Sequence, residues 1–300
     1  MNEITIEMSA LVKRYGPVEV LKGISSRVEP GEIVGLVGRN GAGKSTLLDC
    51  LAGLKRSDEG QCRILGVPSG ELTDAQRADL GVVFQQDELF EGYTVRKHLD
   101  LVGAHYPSWD PAYADDLRQR WSLPSEQRVE KLSGGQRQLL AVILAIAHRP
   151  RLLLMDEPAT ALDPLARRRF LTELVSLACD AQTTMVLSSH QLADIERLAS
   201  RIWLLRDGRL ALDESLDTLK DCVVGVETRS TNTGPIKEPS WPDGATLIAR
   251  TGASDQPRWL VKLDPDIGRQ TFEDQLSEAT GARWQVKRLD LESLSLELLE

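Results

Sequence analysis

Gly38-Arg39-Asn40-Gly41-Ala42-Gly43-Lys44-Ser45 decides the fold. It follows the short apolar run Ile33 to Val37 and opens a helix-forming stretch, Ser45 to Leu54, that Gly53 closes. Strand, glycine loop and helix in that order are what a G-x-x-x-x-G-K-[ST] phosphate loop requires. Its glycines let successive backbone N–H groups curl around phosphate oxygens, and the new helix points its positive end at them. Lys44 is expected to bridge the β and γ phosphates of a nucleotide, Ser45 to place its hydroxyl on Mg²⁺, and Thr46 to bond the α phosphate.

Working outward, Leu152-Leu153-Leu154-Met155 is a continuous apolar run ending in Asp156-Glu157, and Thr183 to Leu187 is a second, ending in Ser188-Ser189-His190. Such runs suit parallel strands buried on both faces, and chemistry in parallel α/β sheets gathers at the carboxyl ends of strands. Asp156 is the Mg²⁺ candidate, acting mainly through water. Glu157, just beyond the strand, is placed to act as a general base on a water. Gly81 to Phe84 reads as a further strand and Thr94 to Trp121 as mostly helical. Asp110-Pro111 supplies an N-cap and a proline at the first helical position, and Tyr113, Leu117 and Trp121 fall on one packing face. Residues 1–212 thus alternate strands and helices, closing with a hairpin turn at Asp207-Gly208.

Residues 213–222 read as a linker with a short helix, and 223–300 as a small α+β domain. In that domain strands are expected near Cys222 to Val226, Thr246 to Arg250, Trp259 to Leu263 and Arg283 to Arg288. Helices are expected at Thr271 to Thr280 and Leu291 to Leu299, and a loop from about Arg229 to Gly244.

Composition narrows the function classes. The chain has 300 residues, 41% hydrophobic and 27% charged, which suits folded domains with cores and excludes disorder. Its 36 basic and 45 acidic residues sum to a net charge of -9, so no broad field draws nucleic acid. The longest apolar run, Leu139 to Ala147, is nine residues, short of the roughly 20 that a membrane-spanning helix needs. The start MNEITIEM has no signal-peptide pattern, so the default expectation is the cytosol. Cys50, Cys62, Cys179 and Cys222 have no ligand spacing and are expected to be reduced. His98, His105 and His148 are expected to be surface or packing residues.

Leu132-Ser133-Gly134-Gly135-Gln136, followed by a helix, carries a specific resemblance: residues 1–212 resemble the ABC family of ATPases. The resemblance implies an α/β fold with a RecA-like core, an antiparallel β subdomain and a helical subdomain at about 87–140, followed here by the small α+β domain. It implies ATP and Mg²⁺ as ligands. Two such domains stack head to tail, as a homodimer or with a paralogous ATPase subunit. Each ATP then lies between one phosphate loop and the other protomer's Ser133, Gly134, Gly135 and Gln136. Other roles transfer position by position. Tyr15 matches the aromatic that stacks on adenine, and Gln85 the glutamine that senses Mg²⁺ and water. Asp163 matches the loop that speaks across the dimer, and His190 the histidine that contacts the γ phosphate and steadies Glu157. The departures are Ala161, where Gly or Ser is common, and Leu139-Leu140 after the signature.

Family members with coiled coils or zinc modules insert them between phosphate loop and signature. Lys44 and Ser133 are 89 positions apart, which leaves no room. The resemblance therefore implies a transporter subunit, peripheral on the cytoplasmic face of the membrane, partnered by separate transmembrane permease subunits and not by nucleic acid. Leu89-Phe90 and Gly92 to Val95 would border a groove for a partner helix. The sequences around His190 and from Leu289 onward look similar to exporter ATPases. A regulated importer ATPase and a soluble ATPase acting on ribosomes or nucleic acid are the alternatives. The tail is read as a dimer brace or a ligand-sensing brake, and the stripe Leu291, Leu294, Leu298 and Leu299 suits a brace or simple core packing.

Overall fold

The computed structural model describes residues 4–86, 88–228, 238–252 and 257–299. Asp87 and the first part of the expected loop, 229–237, lie outside the described residues. The chain divides into two compact units, the first ending at Asp213 and the second beginning at Glu214.

In the first unit the elements are β1 (Ile6–Tyr15), β2 (Val18–Val28), β3 (Ile33–Gly38), α1 (Lys44–Leu51), β4 (Glu59–Ile64), β5 (Val67–Pro68), α2 (Asp74–Arg77), β6 (Leu80–Val83), α3 (Val95–Gly103), α4 (Pro111–Arg120), α5 (Gly134–Ile146), β7 (Leu152–Met155), α6 (Pro164–Ala181), β8 (Thr184–Ser188), α7 (Leu192–Leu198), β9 (Arg201–Arg206) and β10 (Arg209–Ser215). Six strands form one sheet in the order β10-β9-β3-β8-β7-β6. From β9 to β6 the pairing is parallel, with Val34 beside Val186, Leu153 beside Met185 and Gly81 beside Leu153. The apolar runs β3, β7 and β8 are buried along nearly their whole length, because helices cover both faces of a parallel sheet. β3, β8, β7 and β6 are neighbours, so the segments that follow them (the glycine loop, Ser189-His190, Asp156-Glu157 and Gln85) emerge side by side at one edge.

A second sheet, β2-β1-β4-β5, is antiparallel. Strand and helix therefore do not simply alternate through residue 212, and the antiparallel β subdomain that the resemblance implied is present: the first two strands and the β4-β5 ribbon form a separate layer. Its pairing joins Ile6 to both Val28 and Ile64. The expected hairpin at Asp207-Gly208 is present, with positive φ at both residues (49° and 79°), the conformation that matches the twist of two-residue hairpins.

The second unit holds α8 (Leu216–Cys222), β11 (Val223–Thr228), β12 (Ala245–Thr251), β13 (Arg258–Leu263), α9 (Arg269–Thr280), β14 (Trp284–Arg288) and α10 (Leu291–Leu299). Its sheet is antiparallel throughout, in the order β12-β13-β11-β14. Val224, Val226, Trp259, Val261, Phe272, Leu276 and Trp284 form its core. The Trp259 and Trp284 rings meet edge to face at 5.4 Å. Leu291 and Leu294 are buried, so these two leucines of the stripe are not free to meet a second chain. The side chains of Leu298 and Leu299 lie outside the described residues.

Candidate functional site

The loop after β3 is built to hold an anion. Gly43 precedes α1 at φ 107°, a conformation closed to side chains with a Cβ, and no side chain caps the helix start. The first N–H groups of α1 are thus left for a ligand. Lys44 is buried, and its ammonium donates to the carbonyl oxygens of Gly38 (2.8 Å) and Arg39 (3.3 Å). Among the described residues no carboxylate pairs with it. A buried cation held only by carbonyls is incomplete without an anion, and phosphate satisfies both cation and helix start.

Asn40, Gly41, Gly43, Lys44, Ser45, Thr46, Val20, Gln85, Asp156 and Glu157 line one cavity of about 260 Å³. Consecutive strand residues point to opposite faces, yet Asp156 and Glu157 both reach this cavity. The backbone explains it: Glu157 has φ 51°, in the left-handed region, and turns the chain out of β7. Asp156 is buried and accepts a 2.6 Å hydrogen bond from the Ser188 hydroxyl. The same hydroxyl oxygen accepts from the Glu157 N–H at 2.9 Å. Ser188 therefore ties the ends of β7 and β8 together, a function that sequence reasoning missed; its position at a strand's carboxyl end was the available signal.

Glu157 Oε2 accepts from His190 Nδ1 at 2.6 Å, from the His190 backbone N–H at 3.3 Å and from the Thr160 hydroxyl at 3.2 Å. With Nδ1 donating, the imidazole is anchored through one nitrogen, and half of the His190 side chain is exposed. A carboxylate fixed through one oxygen, beside a buried lysine and an uncapped helix start, has the parts needed to activate water next to a bound phosphate. Tyr15 is exposed and lies outside the lining of this cavity. The ammonium groups of Lys55 and Lys13 stand 5.2 and 5.7 Å from its ring centre. Hydrogen bonding to Tyr15 and Asp49 holds the Lys55 ammonium above its usual range.

Ser133, Gly134, Gly135, Gln136 and Asp163 lie elsewhere in the unit, around a second cavity of about 580 Å³ that shares no lining residue with the first. Ser133 caps α5: its hydroxyl accepts from the Gln136 N–H (3.2 Å), and the Gln136 side chain accepts from the Ser133 N–H (3.0 Å). A Cβ on Gly135 would stand 2.8 Å from the Ala161 carbonyl oxygen, so only glycine lets α5 pack this closely on the loop before α6. Asp163 caps α6, accepting from the N–H groups of Leu165 and Ala166 at 2.9 Å. Tyr15 apart, the structure thus gathers the predicted residues into two groups.

The histidines without a predicted role are packing groups or lie on the surface. His98 is buried, accepting from the Phe90 N–H through Nε2 (2.9 Å), and burial lowers its pKa. His148 is buried against the Tyr106 ring at 4.0 Å, and burial lowers its pKa too. His105 bonds the carbonyl of its own preceding turn, that of Leu101, at 2.9 Å. All four cysteines are free, and among the described residues no cluster of three or more His, Cys, Asp or Glu side chains is arranged to hold a metal ion. No helix among the described residues is long and apolar enough to cross a membrane.

Comparison with known proteins agrees with this architecture. The sequence model of the ABC transporter family matches residues 21–160. The chain is 32% identical to Nod factor export ATP-binding protein I of Paraburkholderia xenovorans over 99% of its own length and 98% of that protein's. It is 41% identical to the aliphatic sulfonates import ATP-binding protein SsuB of Ralstonia nicotianae, over 71% of this chain and 73% of that one. Among solved structures, a dimeric post-hydrolysis ATP-binding cassette bound to ADP and Pi superposes with a TM-score of 0.64 at 27% identity, over 70% of this chain and 98% of that chain. With the phosphate loop, the Asp156-Glu157 strand end and the separate Ser133 helix start all in place, the chain belongs to the ABC transporter family as an ATP-binding subunit, and it is an ATPase.

Proposed function

We propose that this chain powers a bacterial ABC exporter from the cytoplasmic face of the membrane, driving transmembrane permease subunits carried on separate chains. The observation that supports an engine driven by ATP-dependent dimerisation is the division of the predicted residues between two cavities that share no lining residue. One chain offers a phosphate loop with its Glu157, and apart from it a capped, glycine-rich helix start with Asp163. Neither half encloses a nucleotide alone. Two copies, or this chain and a paralogous ATPase subunit, packed head to tail bring each half onto the complement of the other, so that ATP becomes part of an interface and its binding closes the dimer.

Within the closed site Lys44 and the loop N–H groups hold the β and γ phosphates, Thr46 the α phosphate, and Tyr15 the adenine. Ser45, Gln85 and Asp156 would hold Mg²⁺; their hydroxyl, amide and carboxylate oxygens are the hard donors that ion takes. When bound it neutralises phosphate charge. Glu157 accepts the proton of the water that attacks the γ phosphorus, the bond to the ADP oxygen breaks, and His190 keeps the carboxylate aimed. Loss of the γ phosphate removes what joins the halves and the dimer reopens.

Export is supported by how far the similarities run. Likeness to the Nod factor export protein extends through both units, whereas likeness to the sulfonate import protein covers 71% of the chain. The test is affinity capture of the Glu157→Gln protein with Mg-ATP from detergent-solubilised host membranes. A polytopic membrane protein is the expected companion, and ribosomes or nucleic acid in its place would overturn the transporter reading. Direction is then read from the captured complex in proteoliposomes with the cassettes outward. External ATP drives solutes from a host extract into the lumen if it exports, and out of preloaded vesicles if it imports.

A further inference from the structure

We propose that Glu173 is a positioning residue for the half-site that completes the partner's ATP; the proposal rests on the head-to-tail reading above. Glu173 is buried, in the middle of α6, outside the residues assigned to nucleotide. Its two oxygens are taken by two different donors on α4. The Tyr113 hydroxyl donates to Oε1 at 2.6 Å, and Arg120 Nη1 donates to Oε2 at 2.7 Å. A further bond runs the other way, from Arg169 Nη1 on α6 to the Arg120 carbonyl oxygen at 3.2 Å. The Arg149 guanidinium covers the Tyr113 ring, 3.7 Å from its centre.

A carboxylate gripped at both oxygens from residues seven positions apart on one helix fixes that helix in translation and in rotation. The grip matters because of what the two helices carry. The end of α4 delivers Trp121 and Ser122 to the 580 Å³ cavity, and the first turns of α6 deliver Leu165, Ala166 and Arg169. Arg169 is four residues before Glu173, one turn nearer the cavity on the same face. Between these walls sit Ser133 to Gln136 and Asp163, held to each other by the close approach of Gly135 to Ala161. The spacing between α4 and α6 is thus the width of the surface that must close on the partner's nucleotide. Burying a carboxylate is a poor route to stability, since apolar side chains of similar volume do as well or better. What the ion network supplies here is a single geometry.

The test separates nucleotide binding from closure, using the full-length chain in the Glu157→Gln background, which is expected to hold an ATP-bound dimer. Tyr113→Phe and Glu173→Gln each remove part of the network while keeping the shape of the side chain. We expect ATP affinity of the monomer, read with a fluorescent ATP analogue, to stay within about twofold of the parent. The ATP-dependent dimer dissociation constant, read by analytical ultracentrifugation, should rise about tenfold, the scale of one hydrogen bond to a charged group. Ser133→Arg is the control for the reading beneath the proposal and should abolish dimerisation without touching ATP affinity. If Ser133→Arg dimerises normally, the head-to-tail reading fails and takes the proposal with it. If Ser133→Arg fails to dimerise while both network variants dimerise like the parent, the role of Glu173 alone is overturned. It is likewise overturned if their ATP affinity falls in step with dimerisation, since that marks general damage.

Discussion

The two units solve the same packing problem with opposite use of polarity. Of the buried polar and charged residues described, Ser295 alone belongs to the unit beginning at Glu214; Lys44, Asp156, Glu173, Ser188, Asp194 and the rest belong to the first unit. In the second unit charged side chains pair at the surface or half-buried beneath it, as in Arg258 with Glu227 (2.7 Å) and with Glu297 (3.4 Å), and Lys287 with Glu227 (2.9 Å). Its interior is tryptophan, phenylalanine and aliphatic residues. Taking a charge out of water costs several kcal/mol unless partners repay it. A unit that carries this load repeatedly, at the carboxyl ends of β7 and β8 and again along α1, α6 and α7, is organised around chemistry, while an apolar antiparallel unit is organised around its own stability.

The sharpest way to break this contrast is one substitution in each unit. Glu157→Gln should lower the ATP turnover number by about 10²- to 10⁴-fold, the usual worth of a general base, with ATP affinity retained. Trp259→Ala removes a wholly buried ring from the second core and should destabilise that unit by about 3–5 kcal/mol, leaving the turnover number of the folded protein unchanged. Steady-state kinetics and urea unfolding of each variant decide the matter. A Trp259→Ala protein that is folded but inactive would show that the second unit takes part in catalysis.

Ser188→Ala sharpens the comparison within the first unit. Ser188 is wholly buried and joins Asp156 to the Glu157 backbone through one oxygen. Losing a hydrogen bond to a charged group is worth roughly 1.5–3 kcal/mol, so turnover should fall about 10- to 100-fold. A turnover number within twofold of the unsubstituted protein would remove Ser188 from the working parts.

Which of these features the sequence discloses depends on how far apart the contributing residues lie. The phosphate loop, the Asp156-Glu157 strand end and the Asp207-Gly208 turn are contiguous, so backbone chemistry and side-chain function are read from one short stretch. The second unit's strands are legible for the same reason, as short apolar runs between turn residues. The β1-β2 layer is harder. Pairing in β1 slips between Met8 and Leu11, where Ala10 has φ 48°, and the buried positions change phase midway along the strand. Period-two alternation cannot be followed across such a bulge. Ser188 and Glu173 are hidden differently: their partners are 32 and 60 residues away in sequence, and only folding makes Tyr113 more than one member of an apolar face.

The smallest expected effect also tests the contrast most directly, because the two units should answer acid with opposite signs. In the first unit burial lowers the pKa of His98 and of His148 below the usual 6.5. Between the lowered values and 6.5 the unfolded chain binds more protons than the folded one, so stability is complete above 6.5 and is lost as pH falls through that window. In the second unit burial raises the pKa of Glu297 above 4.5, against the pull of Arg258. There the folded form binds more protons, so that contribution is complete below 4.5 and is lost as pH rises through the raised value. Hydrogen exchange in urea at pH 7 and pH 5, corrected for intrinsic rates and read separately on peptides from each unit, makes the comparison. From pH 7 to pH 5 the opening midpoint of the first unit should fall by about a few tenths of a molar in urea, while that of the second holds or rises slightly. Replacing both histidines with glutamine should remove the first unit's share of the shift. Equal movement of both units in one direction would mean that surface charge, and not the buried groups that distinguish the units, sets their response to acid.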